Sequence, residues 1–197
     1  SGTPEQGMLS SHRILSTATH SGHGIYGEAT GKKVIYRVIA DCHAIENKIN
    51  DEWLVRDQGA IVRQLGTTPV DYTRSLILAE GGPDGCLKPF NPEDDIKGPY
   101  MERGNSNEWG KKYAAALSDI MNADFTSIRQ NYDRAVLAEL PGGRTAYSYD
   151  GIDEFWMGLR ASFPNAKFEV HHTIGLDEKM LSPRSAIRWS LSGKHDA

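Results

Sequence analysis

The sequence predicts an α+β protein in which about three helices are segregated from an antiparallel sheet. Residues 9–66 alternate apolar and polar side chains, as strands do. Residues 107–163 instead repeat apolar side chains at the spacing of amphipathic helices, and residues 166–195 return to the alternation of strands. Strands followed by helices and then by more strands are typical of the α+β class.

Composition and charge exclude several function classes. The chain has 197 residues, of which 39% are hydrophobic and 24% charged, as in ordinary globular proteins. A formal charge of −4 supplies no basic surface, so we expect no nucleic-acid partner. No apolar run approaches the roughly 20 residues that span a bilayer. Since the first residues also lack the pattern of a signal peptide, we expect no membrane partner and a cytoplasmic location.

The first half is predicted to hold three strands and a short helix. The strands cover residues 9–22, 33–44 and 49–56, and a tight turn at Glu46-Asn47-Lys48 joins the last two. The helix covers residues 57–65 and ends at Gly66. Alternation places Trp53, Val55 and Asp57 on one face of the last strand. An acid that shares a face with Trp and Val is either a charge at the edge of the sheet or a carboxylate inside a pocket.

A long connection separates the two halves. Residues 70–80 are compatible with a short helix, but residues 81–106 contain Gly, Pro, Asn and Asp throughout. A loop of this length is unusual inside a compact domain. We therefore predict a first unit at residues 9–80, a linker at 81–106 and a second unit at 107–197.

The second half is predicted to begin with helices. Asn107 can cap the first helix, and a second starts near Asp124. A short strand at residues 135–140 ends at a Pro-Gly-Gly turn, and a third helix covers residues 151–163. Two alternating strands follow, at residues 166–176 and 185–195.

Several stretches together resemble SnoaL-like polyketide cyclases of the nuclear transport factor 2-like superfamily. The sequence GEATGK at residues 27–32 resembles the turn before the middle strands of that family. Trp53 with Asp57, followed by Gln-Leu-Gly at residues 64–66, resembles the end of its last strand. Residues 107–175 resemble its opening half: two helices, a strand with a Pro-Gly-Gly turn, and a helix ending in Phe-Pro-x-x-x-Phe. The resemblance implies a cone-shaped fold, with a curved antiparallel sheet packed against helices.

The two halves stand in reversed order relative to that family. Residues 9–66 resemble its end and 107–197 its beginning, with about one strand duplicated, which favours part of a tandem pair over a permuted domain. A sheet without its helices exposes an apolar face and an open edge. We therefore predict that the halves pack together into one unit, within one chain or in a homodimer that exchanges halves.

The resemblance assigns Asp57 as the general base of an intramolecular aldol cyclisation. Such a base removes a proton next to a carbonyl, which suits a carboxylate beside an apolar wall. The alternative is a strand-end acid that caps the following helix or pairs with Arg56 or Arg63. The resemblance also places His43 near Asp57 in the ligand cavity, as a group that steadies the oxyanion. The alternative for His43 is a strand histidine that faces solvent.

The remaining site residues are candidate walls of a ligand cavity. They are Trp53, Val55, Tyr149, Phe155 and Trp156, although such aromatic residues are more often part of a core. Adjacent His171 and His172 point to opposite faces of a strand, so we expect no metal site. We regard Asp41 and Asp51 as surface charges.

Taken together, these assignments predict a cofactor-free cyclase, of the lyase or isomerase class, acting on a small apolar carbonyl compound. Two alternatives stay open: a non-catalytic binding or assembly module of the same fold, and a hydrolase that activates water. The hydrolase needs further polar partners around one water, and the sequence offers no convincing set.

Overall fold

The computed structural model describes residues 2–3, 5, 7–87, 94 and 104–195. These residues form antiparallel strands and five α-helices, which confirms the α+β class. The strands are β1 (Gly2–Thr3), β2 (Gly7–Thr19), β3 (Lys33–Ile45), β4 (Lys48–Arg56), β5 (Leu137–Leu140), β6 (Arg144–Tyr147), β7 (Lys167–Leu176) and β8 (Arg184–Ser192). The helices are α1 (Gln58–Leu65), α2 (Pro69–Ala79), α3 (Glu108–Met121), α4 (Thr126–Asn131) and α5 (Ser148–Ser162).

The first half is a four-stranded sheet in the order β1-β2-β3-β4. The predicted turn between β3 and β4 is confirmed, with Glu46 at φ 51° and Asn47 at φ 59°. Two consecutive left-handed residues form the type of turn whose twist matches that of the strands it joins. This turn sets a register in which Asp41 lies opposite Trp53.

One face of this sheet is turned towards the second half of the chain. Ser11 pairs with Asp41, and Asp41 pairs with Trp53, so these three side chains share a face. We call this the inner face; Arg13, Arg37 and Val55 belong to it by alternation.

Helices α1 and α2 follow the sheet and add to the three helices predicted in the second half. Asp57 caps α1 by accepting a hydrogen bond from the Ala60 N–H at 3.0 Å. Gly66 ends α1 at φ 101°, the left-handed conformation that glycine tolerates. Thr68 caps α2 in the same way as Asp57 caps α1, by accepting from the Asp71 N–H.

The second half folds around a core supplied by its helices. That core consists of Leu117, Ile120, Met121, Ile128, Ile152 and Trp156. Helix α3 packs against both β7 and β8, and α5 packs against β6. Strand β6 is absent from the sequence-based prediction, since its four residues lie between the glycine turn and the start of α5, leaving too little sequence to show an alternation.

The sequence predicts one curved sheet, whereas the hydrogen bonds between the described strands form one four-stranded sheet and two separate hairpins. In the described residues, β5–β6 and β7–β8 are separate hairpins that form no ladder with the four-stranded sheet.

The predicted linker falls largely on residues 88–93 and 95–103, which lie outside the described residues. Its end is fixed, because Asn105 exchanges backbone and side-chain hydrogen bonds with Thr173 and Gly175 of β7. None of the described helices combines the length and apolarity needed to cross a membrane.

Candidate functional site

The carboxylate of Asp57 joins the two halves of the chain. Besides capping α1, its Oδ1 accepts a hydrogen bond from the Gly142 N–H at 2.9 Å. Its Oδ2 accepts one from the Gly143 N–H, also at 2.9 Å. Both glycines belong to the turn between β5 and β6, where φ values of 78° and 73° direct their amides at Asp57. Three backbone donors therefore surround one half-buried carboxylate.

Arg37 makes a second connection beside Asp57. Its Nε lies 3.2 Å from a carboxylate oxygen of Glu139 on β5. Its two terminal nitrogens donate to the Arg144 carbonyl and to the Thr145 hydroxyl, each at 3.2 Å. Two hydrogen bonds and one ion pair of this guanidinium thus hold the β5–β6 hairpin against the inner face.

An open groove of about 570 Å³ lies between the inner face and the β5–β6 hairpin. Its apolar lining includes Ile39 (44% exposed), Val55 (58%) and Leu137 (55%). Asp57 and Arg37 line it as well, and both also line an adjoining cavity of about 300 Å³ next to α1. The groove is of the size that holds small organic molecules.

Further along the inner face, a buried polar cluster holds the β7–β8 hairpin. His172 Nε2 on β7 lies 3.2 Å from Asp41 Oδ2, and both residues are buried. The guanidinium of Arg188, on β8, stacks 4.2 Å from the centre of the Trp53 ring. The expectation that Asp41 is a surface charge is wrong, because the hairpin covers it.

Burial sets the charge states in this cluster. Burial first, and then the charge of Arg188, lower the pKa of His172 to about 4, so its ring is neutral at pH 7. The contact between His172 and Asp41 is therefore not an ion pair at neutral pH. Burial raises the pKa of Asp41, while a hydrogen bond from Ser11 and the charge of Arg188 oppose that rise. Arg188 is thus the cation that compensates Asp41.

His43 lies on the inner face but far from Asp57. It is fully buried, and its Nδ1 lies 2.6 Å from the side-chain oxygen of Asn50. His43 pairs with Asp51, six positions before Asp57, which corresponds to roughly 20 Å along a strand. The structure therefore does not bring His43 and Asp57 together, nor does His43 face solvent.

The other predicted wall residues divide between the groove and the core. Val55 lines the groove, whereas Trp53 lies beneath Arg188. Trp156 belongs to the core of the second half, with Tyr149 and Phe155 packed against that core. Tyr149 also lies beneath the guanidinium of Arg129, at 4.9 Å. Only Val55 of this set joins Asp57 in the groove lining.

Sequence reasoning missed the two glycines that donate to Asp57 and the Arg37–Glu139 ion pair beside it. Arg37, Glu139, Gly142 and Gly143 carry no local pattern that marks a site, and their contacts span more than 80 positions. The Pro-Gly-Gly turn was recognised, but only as a turn. Among the described residues, no group of three or more His, Cys, Asp or Glu side chains is arranged to hold a metal ion.

Comparison with protein-family models, with curated proteins and with solved structures finds no significant match for this chain.

Proposed function

We propose that this chain is a small-molecule-binding module with the cone-shaped nuclear transport factor 2-like fold of SnoaL-like polyketide cyclases. Its ligand lies in the groove between the inner face and the β5–β6 hairpin. The motifs at residues 27–32, 53–57 and 64–66 support this relationship. So does the packing of the two halves against each other within one chain, through Asp57, Arg37 and Trp53.

The observation that carries the proposal is the apolar lining of an open groove. Ile39, Val55 and Leu137 expose large side chains from three different strands into one concavity. Exposed apolar surface that is gathered in a groove and rimmed by polar groups marks a binding site rather than ordinary surface.

The environment of Asp57 favours binding over catalysis. Its two oxygens already accept three backbone hydrogen bonds, two of which hold the β5–β6 turn in place. A general base has to offer a lone pair to a substrate proton. The role of this carboxylate is structural, because it holds the Gly142–Gly143 turn and Gly142 lines the groove.

A groove-filling substitution tests the proposal. We expect Val55→Trp to reduce binding of Nile red, a neutral apolar dye, at least tenfold, because the indole fills the groove. Val70→Trp, on α2 at a position with 59% exposure, is the matched control and should bind the dye like the unsubstituted chain. Equal dye binding by both variants, measured by fluorescence titration, would overturn the proposal.

Cyclase activity is the second candidate, and the position of Asp57 in the lining of both cavities favours it. In this version Asp57 takes the proton in an aldol-type ring closure, without a cofactor. The oxyanion donor has to be a group other than His43, given the distance along the strand. Turnover of small diketone substrates that is lost in Asp57→Asn while the fold and Nile red binding are kept, and that is retained in Asp51→Asn, would support it; turnover unchanged in Asp57→Asn would refute it.

The homodimer stays a prediction. Exchange of halves between chains is not needed to complete the inner face, since the contacts described above lie within one chain. Among the described residues β8 forms a ladder only with β7, so its other edge is the surface to which a second copy would add.

A further inference from the structure

The charged side chains that line the groove differ in how free they are to pair with a ligand. Three arginines, Arg13, Arg37 and Arg56, and two acids, Asp57 and Glu139, line it. A guanidinium stays charged at every physiological pH, so the balance depends on how each group is already paired.

Both acids are already compensated. Three backbone N–H groups surround the Asp57 carboxylate, and Arg37 lies 3.2 Å from Oε1 of Glu139. An additional cation entering the groove would have to compete with these partners.

Two of the three arginines are placed differently from Arg13. Arg37 donates to Arg144 and Thr145 and forms an ion pair with Glu139, so its guanidinium serves the fold. By alternation, the side chain of Arg56 leaves β4 on the face opposite to that of Val55, where its charge acts on the hydroxyl of Tyr26.

Arg13 differs from them. Its side chain is 77% exposed, and within the described part of the chain its ion pair is with the second oxygen of Glu139, at 3.7 Å. An exposed pair at that distance contributes little, because water screens it. Its planar guanidinium is therefore able to turn towards a carboxylate and bind it with two parallel hydrogen bonds.

We propose that the groove binds an apolar monocarboxylic acid, whose carboxylate pairs with Arg13 and whose hydrocarbon part covers Ile39, Val55 and Leu137. This inference rests on the proposed function, because it specifies the ligand class of the same groove. A volume of about 570 Å³ accommodates a medium-length chain together with its charged end.

Calorimetric titration of the full chain with decanoate and with methyl decanoate tests the charge requirement. We expect the acid to bind about tenfold more tightly than the ester, since only the acid offers a charged acceptor. Arg13→Gln should lower decanoate affinity to that of the ester and leave ester binding unchanged, whereas Arg13→Lys should keep a preference for the acid. Arg74→Gln is the matched control, because Arg74 has a similar exposure (73%) and a similar ion pair (3.5 Å) on α2.

The outcomes separate the two proposals. Equal affinity for acid and ester overturns the acid preference and leaves the groove as a binding site. Acid preference that persists in Arg13→Gln overturns the role of Arg13. Failure of both compounds to bind, together with dye binding that ignores Val55→Trp, overturns the proposed function as well.

Discussion

Asp57 illustrates how one residue serves local structure and long-range packing at once. Its side chain begins α1 through the Ala60 N–H, an interaction within four consecutive residues. The same carboxylate fixes the Gly142 and Gly143 amides, 85 and 86 positions away. Because backbone amides form these bonds, the glycines matter for their conformation rather than for any side chain.

We expect the two glycines of this turn to respond differently to substitution by alanine. Both have positive φ, so either change costs about 1 kcal/mol of strain. A Cβ on Gly143 would also lie 3.3 Å from the Ala60 Cβ, whereas one on Gly142 would have its nearest neighbour at 3.7 Å. In chemical denaturation, Gly143→Ala should therefore be the more destabilising of the two variants. It should lower the free energy of unfolding by about 2 kcal/mol in total.

A third glycine provides the control. Gly158 lies within α5, is exposed, and has open space where a Cβ would be. Gly158→Ala should raise the free energy of unfolding by up to about 1 kcal/mol, since alanine favours helix. A destabilisation by Gly142→Ala that matches or exceeds that of Gly143→Ala would contradict the proposed contact with Ala60.

At the scale of elements, the β7–β8 hairpin packs on the inner face through buried polar side chains, one of them the charged Arg188. His172 and Arg188 approach Asp41 and Trp53 from this hairpin, and all of them but Trp53 are buried. A buried polar contact of this kind is sensitive to protonation, because a new charge has no water to solvate it.

Acid should therefore weaken the fold through His172. Its pKa is about 4 in the folded chain against 6.5 ordinarily, so the unfolded chain binds more protons between these values. The free energy of unfolding falls as the pH drops from 6.5 to 4, by about 3 kcal/mol from this residue. Asp41, whose pKa is raised, acts in the opposite sense, since its contribution is lost as the pH rises above its ordinary 3.8.

Denaturation at a series of pH values measures this effect. We expect His172→Gln to flatten the dependence of the unfolding free energy on pH between 6.5 and 4, whatever its effect at pH 7. His23→Gln, at an exposed histidine beside Glu28, should keep the slope of the unsubstituted chain. An unchanged slope in His172→Gln would show that the acid sensitivity arises elsewhere.

At the scale of the whole molecule, contacts of several kinds join the two halves. We expect them to keep the halves associated without a covalent connection. They combine the Asp57 hydrogen bonds, the Arg37–Glu139 ion pair and the Arg188–Trp53 stacking. We expect a chain cleaved at a protease site introduced between residues 87 and 104 to elute as one particle in size-exclusion chromatography.

A variant with a weakened interface is the control. It shows whether the cleaved pieces stay together because they bind each other or only because they dissociate slowly. The cleaved chain that carries Asp57→Ala should separate into its two pieces at a concentration at which the unsubstituted pieces stay together, because three backbone donors lose their acceptor. Separation of the unsubstituted pieces at micromolar concentration would show that the halves depend on their connection.

Much of the local structure could be predicted from the sequence. Alternation located β2, β3, β4, β7 and β8, and helical spacing located α3, α4 and α5. The turn at Glu46 and Asn47 and the end of α1 at Gly66 were predicted from the residues that stand there. These features depend on neighbouring residues, which a sequence displays directly.

The site was less predictable. The alternation of β3 placed Asp41 and His43 on one face but did not reveal that β7 and β8 bury that face. The aromatic residues Tyr149, Phe155 and Trp156 were candidates for a cavity, yet they pack into or against the core. A helix stripe indicates which side chains turn inward, but not whether they meet a ligand or other side chains.

The sequence by itself determined most of the strands and helices, although not β1 or β6, and it determined that Trp53, Val55 and Asp57 share a face. Only the tertiary structure decided that Asp57 both caps α1 and faces a groove, and that His43 lies far from it. The physical reason is the range of the interactions. Caps, turns and alternation act over a few residues, whereas the partners of Asp57 and Arg37 come from a hairpin about a hundred positions away.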